Sequence, residues 1–588
     1  SGTGTVTFTG NIGATQELGG LNVNASSGSG IITFTGDIGD TNAPQSGVIG
    51  TSNIGNTATT RIDLDGGLYS FDGTTTFESS GAESVEISVA TTIENTANSL
   101  SFSGGSIELL NGANLSVTTN GGAITVNGVV GTSSETLSIN ANHSGGDGSS
   151  ANETVNITGD IGNADEILSV AVTGRDGITL TGGGSGITID TANDTDPNIS
   201  FTGPVTVSGT VTVTSDNATT DGTLGFSSTI DGAGGTDNLT IQSGTGALTL
   251  SGTIGVTAAL DTLNINTTAG GTAAITVLNI GDTGNAGAVT TSIGNANTSN
   301  TTLSGTYYRT DGDLTITTAS GAGAIDFTGA APTITTSGDA VEFVGGSILL
   351  ANGSDLTINT NISNASGAGG NITVAGRIVG TSDEDLTLTT GTAGSTGDVS
   401  VHQIGGEIST IAIRGNGKIK LDGDIATSAE SGAGEAAPSL TLTGAVELQS
   451  SVTITTDSGG TDGAVSFSST VDALNGTTSS LTVDSGTAAT TISGAVGATD
   501  ELSGLTINTT NGDTGAITLT GIGTGTAASG SGAAAVTVGN TGTTTLTLAG
   551  TTYNIDGNAE FESVTGADKI VMTGASPTFT LHDDTISF

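Results

Sequence analysis

Thr5-Val-Thr-Phe-Thr-Gly10-Asn-Ile-Gly13, followed by Leu18, Leu21 and Val23, decides how this chain is read, because it returns. Gly252-Thr-Ile-Gly255 is followed by Leu260, Leu263 and Ile265, and Gly494-Ala-Val-Gly497 by Leu502, Leu505 and Ile507. Each return comes 242 residues after the last, and Ile38, Ile280 and Ile522 keep the same step. Self-similarity at a fixed period marks a repeat architecture. The 588 residues therefore hold about two and a half copies of one long unit. The copies are read as 1–241, 242–483 and a partial 484–588, in one continuous array.

Inside each copy, apolar residues alternate with Thr, Ser or Asn over four to six positions and then break at Gly, Asn or Asp. Val211 and Val213 sit among Thr210, Thr212 and Thr214, and Ile419-Lys-Leu421 has the same form. Period two with β-branched residues marks half-buried strands, and the breaks mark turns. No helical period is evident. The local motif apolar-Thr-Gly-x-Ile-Gly recurs from Phe8 to Gly13 and from Phe34 to Gly39, a step of 26 residues. That step fits one coil of a parallel β-solenoid, with glycines at the corners. Copies differ by insertions: Leu115 matches Leu356, yet Val126 matches Val374 seven residues later, and the excess falls at Asn361-Ile-Ser-Asn-Ala-Ser-Gly-Ala-Gly. Stacked coils tolerate such bulges. Tandem sandwiches would instead show a period near 100 residues and bulky core aromatics. The expected fold is all-β, a right-handed parallel β-solenoid.

Composition narrows the function. There are 98 Gly, no Cys, no Trp, and only 8 Lys plus Arg against 56 Asp plus Glu, a net charge of −48. Phosphate binding needs basic residues, so nucleic acid is excluded as a partner. No apolar run reaches the roughly 18 residues of a membrane span, so membrane insertion is not expected. Absence of Cys fits export through an oxidising compartment. The chain opens at Ser1 without an apolar leader, and both ends read as mid-array strands. They give the expectation of a processed piece whose repeats continue beyond it.

Short Thr/Gly/Asn-rich strands with Gly-x-Ile-Gly corners resemble the extracellular β-strand-repeat proteins of bacteria, the filamentous-haemagglutinin-like and autotransporter-passenger rods. The resemblance covers the whole chain and rests on composition and rhythm. It implies a secreted, cell-surface structural or adhesive rod, a filament, sheath or layer, without catalytic activity. Its partners would be other copies, head-to-tail or lateral, and surface or matrix glycans. The alternative is a glycan-active β-helix enzyme, a polysaccharide lyase or hydrolase, which needs clustered carboxylates or a base in a cleft.

Several residue sets are candidates for chemistry. The three histidines, His143, His402 and His582, share no site-like spacing. No cofactor is required by any motif, but Asp190, Asn193, Asp194 and Asp196 crowd oxygens into one loop and could bind Ca2+, which takes six to eight. Asp216 and Asp221 recur as Asp457 and Asp462. Asp and Asn closing turns is the competing explanation. All four tyrosines fall at one station: Tyr69, Tyr308 (with Tyr307) and Tyr553 are each separated by two intervening residues from an Asp-Gly, at Asp72, Asp311 and Asp556. They would be either exposed contact residues or aromatic plugs between coils. Arg414, Lys418 and Lys420 alternate with Ile413, Ile419 and Leu421 and read as one outward basic patch. Such a patch would dock an acidic surface or an anionic glycan, unless it is simply a solvated strand face. Thr-x-Thr rows also raise an ice-binding face, which needs the pair in register on successive coils; the outward residues read as a mixture of Thr, Ser, Asn and Glu.

Overall fold

The structure, a computed structural model, describes the chain apart from residues 1, 25, 41–46, 97, 133, 143–151, 164–165, 192–196, 218–219, 269, 322–323, 363–368, 393, 395, 429–436, 458–460, 525–530, 566–568 and 582–583. It forms two compact units, Ser1–Thr298 and Ser299–Phe588. Among the described residues each is all-β, with no helix. Both are parallel β-solenoids with a repeat spacing of about 26 residues.

In the first unit Val6 lies opposite Ile32, Ile32 opposite Ile62, and Ile62 opposite Val85, each one coil further on. Three such ladders run through the unit. One joins Leu115–Thr119, Thr136–Ala141, Ser169–Gly174, Ile199–Thr202, Leu224–Phe226, Leu248–Ile254 and Ala274–Ile280. A second joins Leu100–Ser103, Ile124–Val126 and Thr154–Ile157 to the first half of Gly177–Asp190. The third begins with Val6–Phe8 and includes Ile62–Leu64, Glu83–Ile87 and Ser106–Leu109.

The second unit shows how one coil is made. Within the strand Val399–Leu421, Val399 faces Ile372, Ile404 faces Ile378 and Ile411 faces Leu386. The register breaks between them are corners. Past the next corner the Asp422 N–H reaches the Val401 carbonyl (3.1 Å), so the chain has returned to its starting ladder one coil higher.

Inward side chains form the core, as period two dictates. Leu115 and Val117 are buried while Ser116 and Thr118 point outward. Parallel pairing puts like on like. Phe8 stacks on Phe34 with centroids 4.8 Å apart, and Phe201 on Phe226 at 4.7 Å. Such a column fills itself with medium-sized residues, which is why a chain this poor in aromatics folds.

Buried polar residues fix the corners. Asn24, Asn266 and Asn508 take positive φ (52, 47 and 48°) and leave the sheet at the same station of the repeat. Asn295 Nδ2 donates to the Asn266 carbonyl (2.7 Å), and Asn540 Nδ2 donates to that of Asn508 (2.8 Å). Glu135 and Glu384 are fully buried carboxylates at the corners Gly131-Thr-Ser-Ser-Glu and Gly380-Thr-Ser-Asp-Glu. Glu135 accepts from the N–H groups of Thr132 (2.7 Å), Ser134 (3.0 Å) and Gly112 (2.8 Å), and Glu384 accepts from Thr381 (2.7 Å). Burial pushes the Glu135 carboxyl up, but hydrogen bonds from the Thr132 hydroxyl and then from the N–H groups of Thr132 and Gly112 outweigh it and hold it below the ordinary range.

Candidate functional site

The tyrosine station is part of the core. Tyr69, Tyr308 and Tyr553 are fully buried, so the contact reading is corrected for these three. Each phenol oxygen accepts an N–H from three residues earlier: Gly66 and Gly305 at 2.8 Å, Gly550 at 3.0 Å. Tyr69 and Tyr553 also donate one coil back, to the carbonyls of Phe34 and Leu519, both at 3.2 Å. A buried phenol needs both a donor and an acceptor, and the corner supplies them. Only Tyr307 of the four has an exposed ring.

The basic patch is also corrected. Arg414 lies opposite Thr443 on one ladder, whereas Lys418 and Lys420 lie opposite Ala445 and Glu447 on another. The corner Gly415-Asn-Gly417 separates them, so the three do not share a face. Lys418 Nζ pairs with Glu447, which holds the ammonium above its ordinary pKa, and Lys420 Nζ reaches Asp398 at 2.6 Å. Both cations are neutralised by carboxylates of neighbouring coils, leaving little net field for an anionic ligand. His402 Nδ1 lies 3.2 Å from Asp422, both half exposed. His143 and His582 lie outside the described residues.

Of the calcium loop, only Asp190 is described; Asn193, Asp194 and Asp196 lie outside the described residues. Burial pushes the Asp190 carboxyl up to about 6, against a hydrogen bond from the Thr191 N–H (2.8 Å) and with help from the charges of Glu166 and Asp216. A raised acid pKa means that the folded state holds the proton more tightly than the unfolded. Stability from this group is therefore full below about pH 4, falls as pH rises towards 6, and stays reduced above it. Asp190→Asn keeps an acceptor for Thr191. It should stabilise the unit by about 1–2 kcal/mol at pH 7.5, discounted for solvent, and by almost nothing at pH 4. Thermal melts at the two pH values check this, and an equal shift at both would refute it.

A different set of carboxylates converges in the second unit. One oxygen each from Asp457, Asp484 and Asp513 lies within 4.8 Å of the others. Burial and then the Asp484 charge push the Asp513 carboxyl up. The neighbouring Asp462 is committed to the N–H of Thr487 (2.7 Å) and to its hydroxyl. The first-unit counterparts of Asp484 and Asp513 are Gln242 and Gly271, so the cluster is not a general feature of the repeat. Three carboxylates supply about half of the oxygens calcium takes. The sequence signal was a spacing of roughly one coil between successive Asp residues.

One open cleft of about 390 Å³ is lined by Leu474, Asn475, Asp500, Glu501 and Ser503 among others, with no Lys, Arg or His. Burial raises the Glu501 carboxyl, followed by the charge of Asp556 and a hydrogen bond to it.

No protein-family model matches the chain, and no curated protein or solved structure is significantly similar to it.

Proposed function

We propose that this chain is a non-catalytic structural or adhesive scaffold of the bacterial cell exterior, contributing to a surface filament, sheath or layer. The observation that carries the reading is where the carboxylates are spent. Asp221 accepts the Thr245 N–H and Asp462 the Thr487 N–H, each at 2.7 Å from one coil to the next. Asp231 does the same to Thr257, Asp472 to Thr499 and Asp424 to Thr453, all at 2.7 Å. Charge-assisted bonds of this kind are stronger than neutral ones. Side chains that an enzyme would direct at a substrate are here used to hold successive coils together. Lack of Cys and the acidic balance fit an exported, well-solvated body.

The rival is a glycan-active enzyme centred on Glu501 and Asp556. Neutral and acidic polysaccharides incubated with the 588-residue chain should yield no new reducing ends and no unsaturated products. Turnover that disappears in Glu501→Gln would replace the scaffold reading with the enzyme. Calcium enters the proposal only as a counter-ion for the Asp457, Asp484 and Asp513 cluster.

A further inference from the structure

We propose that an uncharged face found on each of the two units docks a second copy of this chain, an inference that rests on the scaffold reading and gives it a surface. The face is the ladder from Leu115–Thr119 to Ala274–Ile280 in the first unit. On and just before its seven strands, every outward residue is Ser, Thr, Asn, Ala or Gly, apart from Leu278, and none is charged. Ser200 and Thr202, then Thr249 and Ser251, typify it.

The pattern returns in the second unit over the strands Ser439–Leu448 to Leu546–Leu548. Thr441 lies opposite Ser466, Ser466 opposite Thr491, Thr491 opposite Thr518, and Thr518 opposite Thr547. A second hydroxyl row flanks it through Thr443, Ser468, Ser493 and Thr520. The expected mixture of outward residues holds on the first-unit ladder, without its Glu, whereas these second-unit rows are hydroxyls throughout. Hydroxyls are in register on successive coils over these stretches, which are bounded one coil earlier on the same rows by Glu94, opposite Thr118, and by Arg414, opposite Thr443. On the third ladder of the first unit Asp63, Glu86 and Glu108 stand directly in line, with Arg61 paired to Asp63 and Glu86.

The charge distribution selects the occupant. Two copies that each carry −48 repel wherever their carboxylates meet, and this face is where they can approach without that cost. Hydroxyl groups both donate and accept, so the face is complementary to itself, as an isologous pairing requires. Strands stack about 4.8 Å apart, so the first-unit face is roughly 34 by 13 Å and a pair would bury roughly 900 Å². That is below the roughly 1,200–2,000 Å² of a stable interface, so each contact is weak and association depends on concentration.

Sedimentation of the 588-residue chain from micromolar to near-millimolar concentration, at about 0.15 M salt, tests this. The wild type should gain mass towards a dimer. Thr249→Glu with Thr518→Glu should stay monomeric, with a melting temperature near wild type. Thr240→Glu, outward on another ladder, should associate like wild type. Mixing the double Glu variant with a Thr249→Lys, Thr518→Lys variant should restore association, which neither misfolding nor end-to-end contact would reproduce. A wild type that stays monomeric, a double Glu variant that associates normally, or equal loss in Thr240→Glu overturns the proposal. So does a monomeric wild type that co-sediments with crystalline cellulose and loses this in the double variant, since the occupant is then a neutral polysaccharide. None of these outcomes produces polysaccharide turnover, which alone sinks the scaffold reading.

Discussion

Val211→Asp unfolds coils of the first unit and Val452→Asp unfolds coils of the second, each at a cost of at least about 3–5 kcal/mol. Val211 is completely buried and lies between Ile187 and Leu239 of the coils below and above. Val452 is 2% exposed and lies against Leu481. A carboxylate at either point finds only apolar neighbours along its column, and protonating it merely exchanges a charge for an unsatisfied polar group. Since each coil of a solenoid is held mainly by its neighbours, the damage spreads to adjacent coils before it is diluted. Thr212, the next residue after Val211, points outward between Thr188 and Thr240. Thr212→Asp should shift stability by no more than about 0.5 kcal/mol. Thermal and denaturant unfolding of the three variants decides the matter. Equal shifts for Val211→Asp and Thr212→Asp would mean that the strand phase is inverted.

That contrast also marks how far the sequence could be read. Period two told inward from outward along each strand, because side-chain alternation in a strand is a local property. Of the inserted loop read at 361–369, residues 363–368 lie outside the described residues. What the sequence could not supply was register across coils. Ile419 lies over Val399's ladder about 20 residues on, while Val170 lies over Leu137 after 33. With coil length this variable, counting does not show which side chains meet. The Asp457, Asp484 and Asp513 cluster, marked only by its coil-length spacing, and the uncharged face could therefore not be assembled from the sequence, although all their residues were in view. The basic patch failed for a related reason: alternation was carried through Gly415-Asn-Gly417, where the chain turns a corner. The tyrosines were placed at the right station, but only the neighbouring coil shows that the ring points inward. Tyr69, for example, lies opposite Ile93 in the column.

Gly345→Ala and Gly104→Ala should each cost roughly 2–4 kcal/mol, which is unusual for adding one methyl group. The two glycines are 241 residues apart and occupy the same corner of the two units. Gly104 has φ +108°, and a Cβ there would stand 1.8 Å from the Ser79 carbonyl oxygen. Gly345 has φ +98°, and its Cβ would stand 1.9 Å from the Thr318 oxygen. The obstructing atoms are backbone of the preceding coil, and that coil is tied to the corner. Ser79 N–H donates to Ser103 (3.3 Å) and Thr318 N–H donates to Val344 (3.0 Å). The carbonyl therefore cannot swing aside without breaking the ladder, and the left-handed backbone adds its own strain of about 1–2 kcal/mol. Gly353 separates the two effects. Its φ is +80°, yet nothing lies within 4 Å of the Cβ position, so Gly353→Ala carries the conformational cost alone and Gly353→Asn almost none. Denaturant midpoints at constant m compare the four variants. If Gly345→Ala costs no more than Gly353→Ala, the coils are not packed as closely at that corner as the carbonyl positions require.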